Sequence, residues 1–461
     1  MFNSKKNPIV YGTILLSCSG LICRGMGFFY RLFISQAFGE EAMGIFQLTS
    51  PVLMLAFSLT CAGTQTAISR YTAACFGIKN EIRAKNFLLT GCFLSLSLSL
   101  LYSIIIYGQA ENISIFLLRE KRCAPLLKIC AFAFPFSALH SCFNGYFYGK
   151  KETKIPSLTQ ILEQLIRIGS VLFLYSFSLQ QNKTPTIALT CIGMLLGETA
   201  SFLISFFYYL VSSTKKNYNF TNLASSIQTS SGMNSAIINT KTGKDNFFSL
   251  CGQLLSLSIP LTFSRVIVNL LQSYEAISIP AQLKEYGYST QTALSIYGVL
   301  TGMALSLVLF PSTFANSVSV LLLPTISEAS SSRNYKRIKD TIQKSISFSL
   351  LLGFICTLFF FFSADILGVF LFDSQLASTF IRQLCFLCPF LYLHITLSSI
   401  LNGLKKTKTT LFINTFSLLL RLFFIIYLIP LYGIKGYLWG LLLSEVISSL
   451  FCIFVLRKYF L

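Results

Sequence analysis

The sequence predicts an all-α polytopic membrane protein of about twelve transmembrane helices in two pseudo-symmetric six-helix lobes. Three observations carry that prediction. Of 461 residues, 54% are hydrophobic and only 11% charged, with 45 Phe and a mean hydropathy of +0.67. A soluble domain carries roughly 25% charged residues, so this chain cannot cover itself with a solvated surface, and it is far too hydrophobic for intrinsic disorder. Basic residues alternate in step with the apolar runs, and the second half of the chain repeats the first.

A membrane helix needs about 20 apolar residues. Such spans fall at 9–37, 43–66, 88–107, 129–147, 157–178, 187–211, 247–279, 296–323, 346–363, 379–401, 409–429 and 436–456. The first is too long for the apolar region of a cleaved signal peptide, and Arg24 and Arg31 interrupt it. Loops on the N-terminal side hold 23 of the 36 Lys and Arg, the opposite loops hold 7, and six lie within spans. The positive-inside rule then places both termini in the cytoplasm. It also accounts for the net charge of +20 without nucleic acid as a partner. The 14 Cys lie mostly inside apolar runs, which argues against a disulfide scaffold. Residues 212–246, rich in Ser, Thr, Asn and Lys, read as a cytoplasmic linker. The expected organisation is therefore a lobe at 1–211, a linker at 212–246 and a second lobe at 247–461.

The repeat is carried by particular residues. At an offset of 254, Pro135 pairs with Pro389, Leu139 with Leu393, His140 with His394, Gly149 with Gly403, Lys154 with Lys408 and Arg167 with Arg421. The two His are the only ones in the chain. GMLLGE and GLLLSE align Glu198 with Glu445 at an offset of 247. Each half starts on the same side, so the repeat is parallel. In transporters of that design the substrate site lies between the halves, which rock to give alternating access. A duplication kept only for packing is the plainer alternative.

GLICRGMGFFYRLFISQAFGEEAMGIFQLTSPV, followed by AGTQTAISR, resembles the opening of the family of stage V sporulation protein B and the polysaccharide exporters. IYGVLTGMALSLVLFPSTFANSVSVLLLPTISEA resembles the matching signature of the second half. The resemblance covers most of the chain. It implies the superfamily of multidrug extruders, oligosaccharide flippases and lipid II flippases, with a MATE-like fold and a central cavity lined by the first and seventh spans. Two features depart from it. The sporulation and lipid II branches commonly have fourteen spans, the extra pair being associated with the prenyl tail. The lipid II branch also carries an Arg–Glu pair in its eighth span, where this chain has the uncharged SIYGVLTGMALSLVLFP.

Each ionisable side chain at a span centre costs about 2.5–3.5 kcal/mol on insertion scales, so it needs an interior or aqueous setting. Arg24 and Arg31 lie seven apart, on one helical face, and Arg265 holds a comparable place in the seventh span. These three are the candidate substrate residues, because guanidinium binds phosphate oxygens through a planar fork. The plainer alternative is that one or more of them snorkels to an interface or pairs locally, Arg31 first among them because it lies nearer the outer end. Glu163 and Arg167 are spaced for a local ion pair; Arg421 repeats Arg167 but faces Ser417 in place of Glu163. Glu198, Glu275 and Glu445 are candidates for ion coupling or for structural hydrogen bonds, and the two His for packing. Pro51, Pro135, Pro311 and Pro389 interrupt the helical ladder and are candidate bending points. Cys385 and Cys388 have metal-like spacing but no second pair, and no phosphate-binding glycine loop occurs. No metal, cofactor or catalytic residue is expected.

The leading expectation is a flippase for an undecaprenyl-pyrophosphate-linked sugar, lipid II or a related glycan, in the bacterial plasma membrane. Its partners would be the anionic lipid-linked substrate and the bilayer, and a monomer would suffice. The alternative is a cation-coupled multidrug exporter of the same fold. Cationic drugs favour an acidic cavity, whereas these spans hold six Arg against four Glu and no Asp. A membrane glycosyltransferase or acyltransferase would need a carboxylate cluster or lone essential His, and no D-x-D motif occurs.

Overall fold

The structure, a computed structural model, describes residues 8–78, 80–223, 246–331 and 335–457. Among these the regular elements are all helical. Ten helices are long and apolar enough to cross a membrane, and a bent pair, Cys123–Ala131 with Ala133–Gly149, makes an eleventh. The longest, Leu15–Gly77, is two helices joined at Gly39, whose φ of 83° and ψ of 175° are non-helical. Splitting it there gives the twelve spans. We number them α1 (8–38), α2 (40–77), α3 (Glu81–Gly108), α4 (123–149), α5 (Lys154–Gln180) and α6 (Ala188–Leu223) in the first lobe. The second lobe holds α7 (Phe247–Glu285), α8 (290–331), α9 (335–371), α10 (375–403), α11 (Thr407–Tyr432) and α12 (Ile434–Leu456).

Local chemistry sets several boundaries. Asn80, Ser289 and Ser374 cap α3, α8 and α10 by accepting the backbone N–H three residues on. Gly433, at φ 61°, makes the tight turn into α12 that a side chain would strain. Several helices overrun the apolar spans: α9 begins at 335 rather than 346, its first turns being basic. The expected linker is shorter than its composition suggests, because α6 continues as helix to Leu223. The remainder of that stretch, 224–245, lies outside the described residues.

Two expected bending points share one device. Pro135 lacks the N–H that Ala131 would accept, and α4 bends by 45° there. The freed Ala131 carbonyl accepts the Ser103 hydroxyl of α3 instead. In the second lobe the Cys385 carbonyl, four residues before Pro389, accepts Thr357 Oγ1 of α9 at 2.9 Å. Thr357 is Ser103 displaced by 254. In lipid such a carbonyl has no water to turn to, so a neighbouring hydroxyl is the stable answer.

The packing is not uniform along the membrane normal. At the helix ends far from the N-terminus, one core runs through both lobes, joining Ile45, Leu48 and Leu127 to Ile279, Leu294 and Phe380. At the near ends there are two. One unites Ala67, Phe87 and Phe147 with Leu254 of α7, and the other holds Leu322, Ile342, Leu397 and Leu456. The lobes are thus fused at the far end and part at the near end. The first half of α7 packs against the N-terminal lobe through Leu250 and Leu254.

The far-end contact is two-fold. A Cβ on Gly44 would strike the Leu294 carbonyl, and one on Gly298 would strike that of Glu40 and come within 2.5 Å of Gly44 N. Gly44 and Gly298, like Glu40 and Leu294, are repeat mates at 254. The two halves therefore meet glycine to glycine on their own pseudo-symmetry axis, where only a bare Cα allows such an approach.

Candidate functional site

Where the lobes part, a cleft of about 390 Å3 opens between α1 and α8. Leu16, Ser17, Gly20, Leu21 and Arg24 line one wall; Thr313, Asn316 and Ser317 line the other. Small side chains on both walls leave room for Arg24, which is exposed. It is the single charge on a lining otherwise composed of hydroxyls, an amide and apolar groups. That combination suits an anion with hydrogen-bonding oxygens.

The other two predicted arginines face the partner lobe rather than lipid, but with their donors engaged. Arg31 Nη1 donates to Ser306 Oγ of α8. The bond crosses the lobe boundary, while Arg31 as a whole stays exposed. Arg265 Nη1 donates to the Ala62 carbonyl at 2.7 Å, and Nη2 lies 3.4 Å from Thr66 Oγ1. Ala62 ends a wide turn of α2, residues Ser58–Ala62, in which the usual hydrogen-bond register slips by one. Such a turn leaves carbonyls short of partners, and Arg265 supplies one. One turn further along α7, Asn269 Nδ2 donates to Ser58 Oγ and to the Met54 carbonyl at 3.3 Å, while Tyr71 donates to the Gln253 carbonyl at 3.0 Å. Asn269, Ser58 and Ser306 carry no sequence signal above the general run of polar residues in spans.

Away from the cleft, each lobe gathers its ionisable groups into one cluster. Arg167 binds Glu163 as its spacing predicted, and Glu198 joins from α6, 3.9 Å from Arg167 and 3.7 Å from His140. In the second lobe His394 Nδ1 lies 2.8 Å from Glu445 Oε2. Arg421, whose local carboxylate is replaced by Ser417, lies 3.5 Å from Glu275 of α7. Glu275 also accepts the Tyr437 hydroxyl at 2.9 Å. The histidines expected to serve packing are instead members of these charged sets. Equal offsets for His, Arg and Glu were the legible signal. The substitution of Glu275 for a fourth repeat mate was not legible.

Cys385 and Cys388 are both free and buried, and Tyr392 donates to Cys388 Sγ at 3.6 Å. Among the described residues, only His140, Glu163 and Glu198 form a group of three or more potential ligands close enough to share a metal ion.

With this geometry in hand, comparison with known proteins gives a consistent picture. The family model described as "Polysaccharide biosynthesis protein" matches residues 9–330, and the MatE model matches 266–427. Stage V sporulation protein B of Bacillus subtilis (strain 168) is 28% identical over 451 residues, spanning 96% of this chain and 83% of that protein. Lipid II flippase MurJ of the same organism is 20% identical, spanning 98% and 83%. An inward-facing multidrug resistance MATE family transporter of the MOP superfamily superposes with a TM-score of 0.69 at 14% identity, over 95% of this chain and 94% of that one.

Proposed function

The chain belongs to the polysaccharide biosynthesis protein family, and on that premise we propose that it flips an anionic lipid-linked glycan across the bacterial plasma membrane by alternating access. One relative is named a lipid II flippase, and a structural neighbour is a multidrug resistance transporter. The substrate class we infer is a polyprenyl-diphosphate-linked sugar, of which lipid II is one. The observation that carries this reading is the cleft itself: it lies between α1 of one lobe and α8 of the other, and its single charged side chain is a guanidinium.

The parts follow from the geometry. Both termini lie on the open side, which the positive-inside count makes cytoplasmic. Arg24 receives the diphosphate through charge-assisted hydrogen bonds, with Thr313, Asn316 and Ser317 as further partners for phosphate or sugar oxygens. The prenyl tail stays in lipid, outside the α1–α8 opening. Arg31 and Arg265 are bound across the lobe boundary in this state and are released to the substrate, or exchanged between partners, as the lobes rock. Closing the near end and parting Gly44 from Gly298 at the far end then delivers the headgroup outside.

A multidrug exporter remains the second reading, favoured by the MatE model match over 266–427. A cationic drug would meet Arg24 in the cleft and no carboxylate. The test is complementation of a strain depleted of its lipid II flippase. Growth restored by the wild type and lost with Arg24→Ala supports both substrate class and site. Export of a cationic dye by the wild type, unaffected by Arg24→Ala, supports the drug exporter.

A further inference from the structure

Within the C-terminal lobe, a groove of about 350 Å3 runs between α10 and α12. Gln383, Phe386 and Leu387 form part of one wall, and Lys435, Trp439 and Leu442 part of the other. Phe386 and Trp439 are 48% and 59% exposed, so the groove opens toward lipid. Its lining is graded along the membrane normal. Lys435 stands in the first turn of α12, at the far end. Trp439 is one turn deeper, about 6 Å, and Leu442 deeper still. On α10, Gln383 belongs to the amphipathic stretch Gln375–Leu384, and Phe386 and Leu387 follow it in the short tight turn Cys385–Leu387. Polar groups thus gather at the end nearest water and apolar ones lie below. The chain's only Trp sits between them, at the level where tryptophan is enriched in membrane proteins.

The charge at this end is unbalanced. Arg382, beside Gln383, lies 2.5 Å from Asp365, whereas Lys435 is exposed and has no ion pair among the described residues. The first turn of α12 has neither an acidic residue nor a side-chain cap. Its unpaired backbone N–H groups therefore add partial positive charge to that of the ammonium, and an anion is the group that stabilises both.

The internal repeat separates this feature from mere packing. Phe386 and Leu442 have Phe132 and Leu195 as mates in the N-terminal lobe, at offsets of 254 and 247. At the same offsets Gln383, Lys435 and Trp439 answer to Ile129, Ala188 and Ile192. Both lobes keep the apolar positions, but the amide, ammonium and indole occur in one alone. Helix packing common to both lobes does not account for them.

We propose that the α10–α12 groove binds one anionic phospholipid of the far leaflet. Lys435 and the start of α12 take its phosphate, Gln383 hydrogen-bonds the glycerol-ester oxygens, and an acyl chain lies along Phe386, Leu387 and Leu442. A choline headgroup would set a like charge beside Lys435, so the site selects by headgroup. This groove lies within one lobe, apart from the α1–α8 cleft between lobes, and its binding does not depend on what that cleft carries.

Trp439 makes the test direct, because its fluorescence reports this groove alone. The purified full chain is reconstituted in phosphatidylcholine bilayers holding rising fractions of dibrominated phosphatidylglycerol or dibrominated phosphatidylcholine, whose bromines quench a neighbouring indole. Phosphatidylglycerol should quench at about a five-fold lower mole fraction than phosphatidylcholine, the preference expected of one lysine at the surface. Lys435→Arg should keep the preference and Lys435→Gln should abolish it. Lys183→Gln, in another loop at the far end, should leave it intact. Equal quenching by the two lipids in the wild type, or a preference that survives Lys435→Gln, would overturn the proposal. So would recovery of fluorescence by polyprenyl diphosphate at a lower mole fraction than by unbrominated phosphatidylglycerol, which would give the groove to a transported lipid instead.

Discussion

Arg421 shows what a single buried charge demands. Its repeat mate Arg167 finds Glu163 one turn away on the same helix, a pairing written in the spacing. Ser417 takes that place in the second lobe, so Arg421 draws on Glu275 from α7. That choice could not be read from the sequence, because it depends on where α7 crosses α11. Glu275→Gln should destabilise the protein by about 3–5 kcal/mol, the usual cost of leaving one buried partner uncompensated. Adding Arg421→Leu should recover most of the loss, as measured by thermal unfolding in detergent. Outside the membrane, Arg122 in the loop before α4 lies 2.8 Å from Glu120 and 2.7 Å from Glu41. Burial pushes the Glu120 carboxyl up, but the hydrogen bonds and charge of Arg122 outweigh it and hold Glu120 below the usual carboxylate range. A depressed folded value means that its stabilising contribution is present above the unfolded value of about 4.3 and is lost as pH falls through the folded one. Hydrogen exchange at residues 118–122 should therefore accelerate on acidification below about pH 4 in the wild type. In Glu120→Gln it should already be fast at neutral pH.

At the scale of the element, prolines and hydroxyls act together. Pro135 and Pro389 were legible as breaks, since a proline removes one helical hydrogen bond wherever it stands. Their remedies, Ser103 and Thr357, were not, because serine and threonine are common in these spans and only packing selects one. Thr357→Val should leave the Cys385 carbonyl with only the Cys388 N–H as donor and cost about 0.5–1.5 kcal/mol. In a Pro389→Ala background, where the restored N–H can serve that carbonyl, the same substitution should cost little. A double-mutant cycle by thermal unfolding reads the difference directly. The linker illustrates the opposite error: composition marked 212–246 as polar and unstructured, yet helix continues to Leu223. A helix emerging from lipid keeps its ladder in water for several turns, and side-chain polarity does not report that.

For the whole molecule, hydropathy and the 254-residue repeat were enough to read twelve spans and two lobes. The asymmetry along the membrane normal was not legible. Whether two lobes touch at one end or the other is a property of a conformational state, and the same sequence must support both. The glycine contact makes that state testable. Gly298→Leu places a side chain against the Glu40 carbonyl, and overpacking of this kind costs about 1–3 kcal/mol. The substitution should open the far end, seen as a longer spin-label distance between the α2 and α8 ends, with the near end correspondingly shorter.

The account as a whole rests on an anionic headgroup passing Arg24 between two rocking lobes. The direct measurement is transbilayer movement of a fluorescent polyprenyl-diphosphate sugar in vesicles holding the purified chain. Wild type should flip it well above empty vesicles, and Arg24→Ala should slow it about ten- to hundred-fold, as expected for the loss of roughly 1.5–3 kcal/mol of charge-assisted binding. Flipping no faster than in empty vesicles, or at the same rate without the guanidinium, would contradict it.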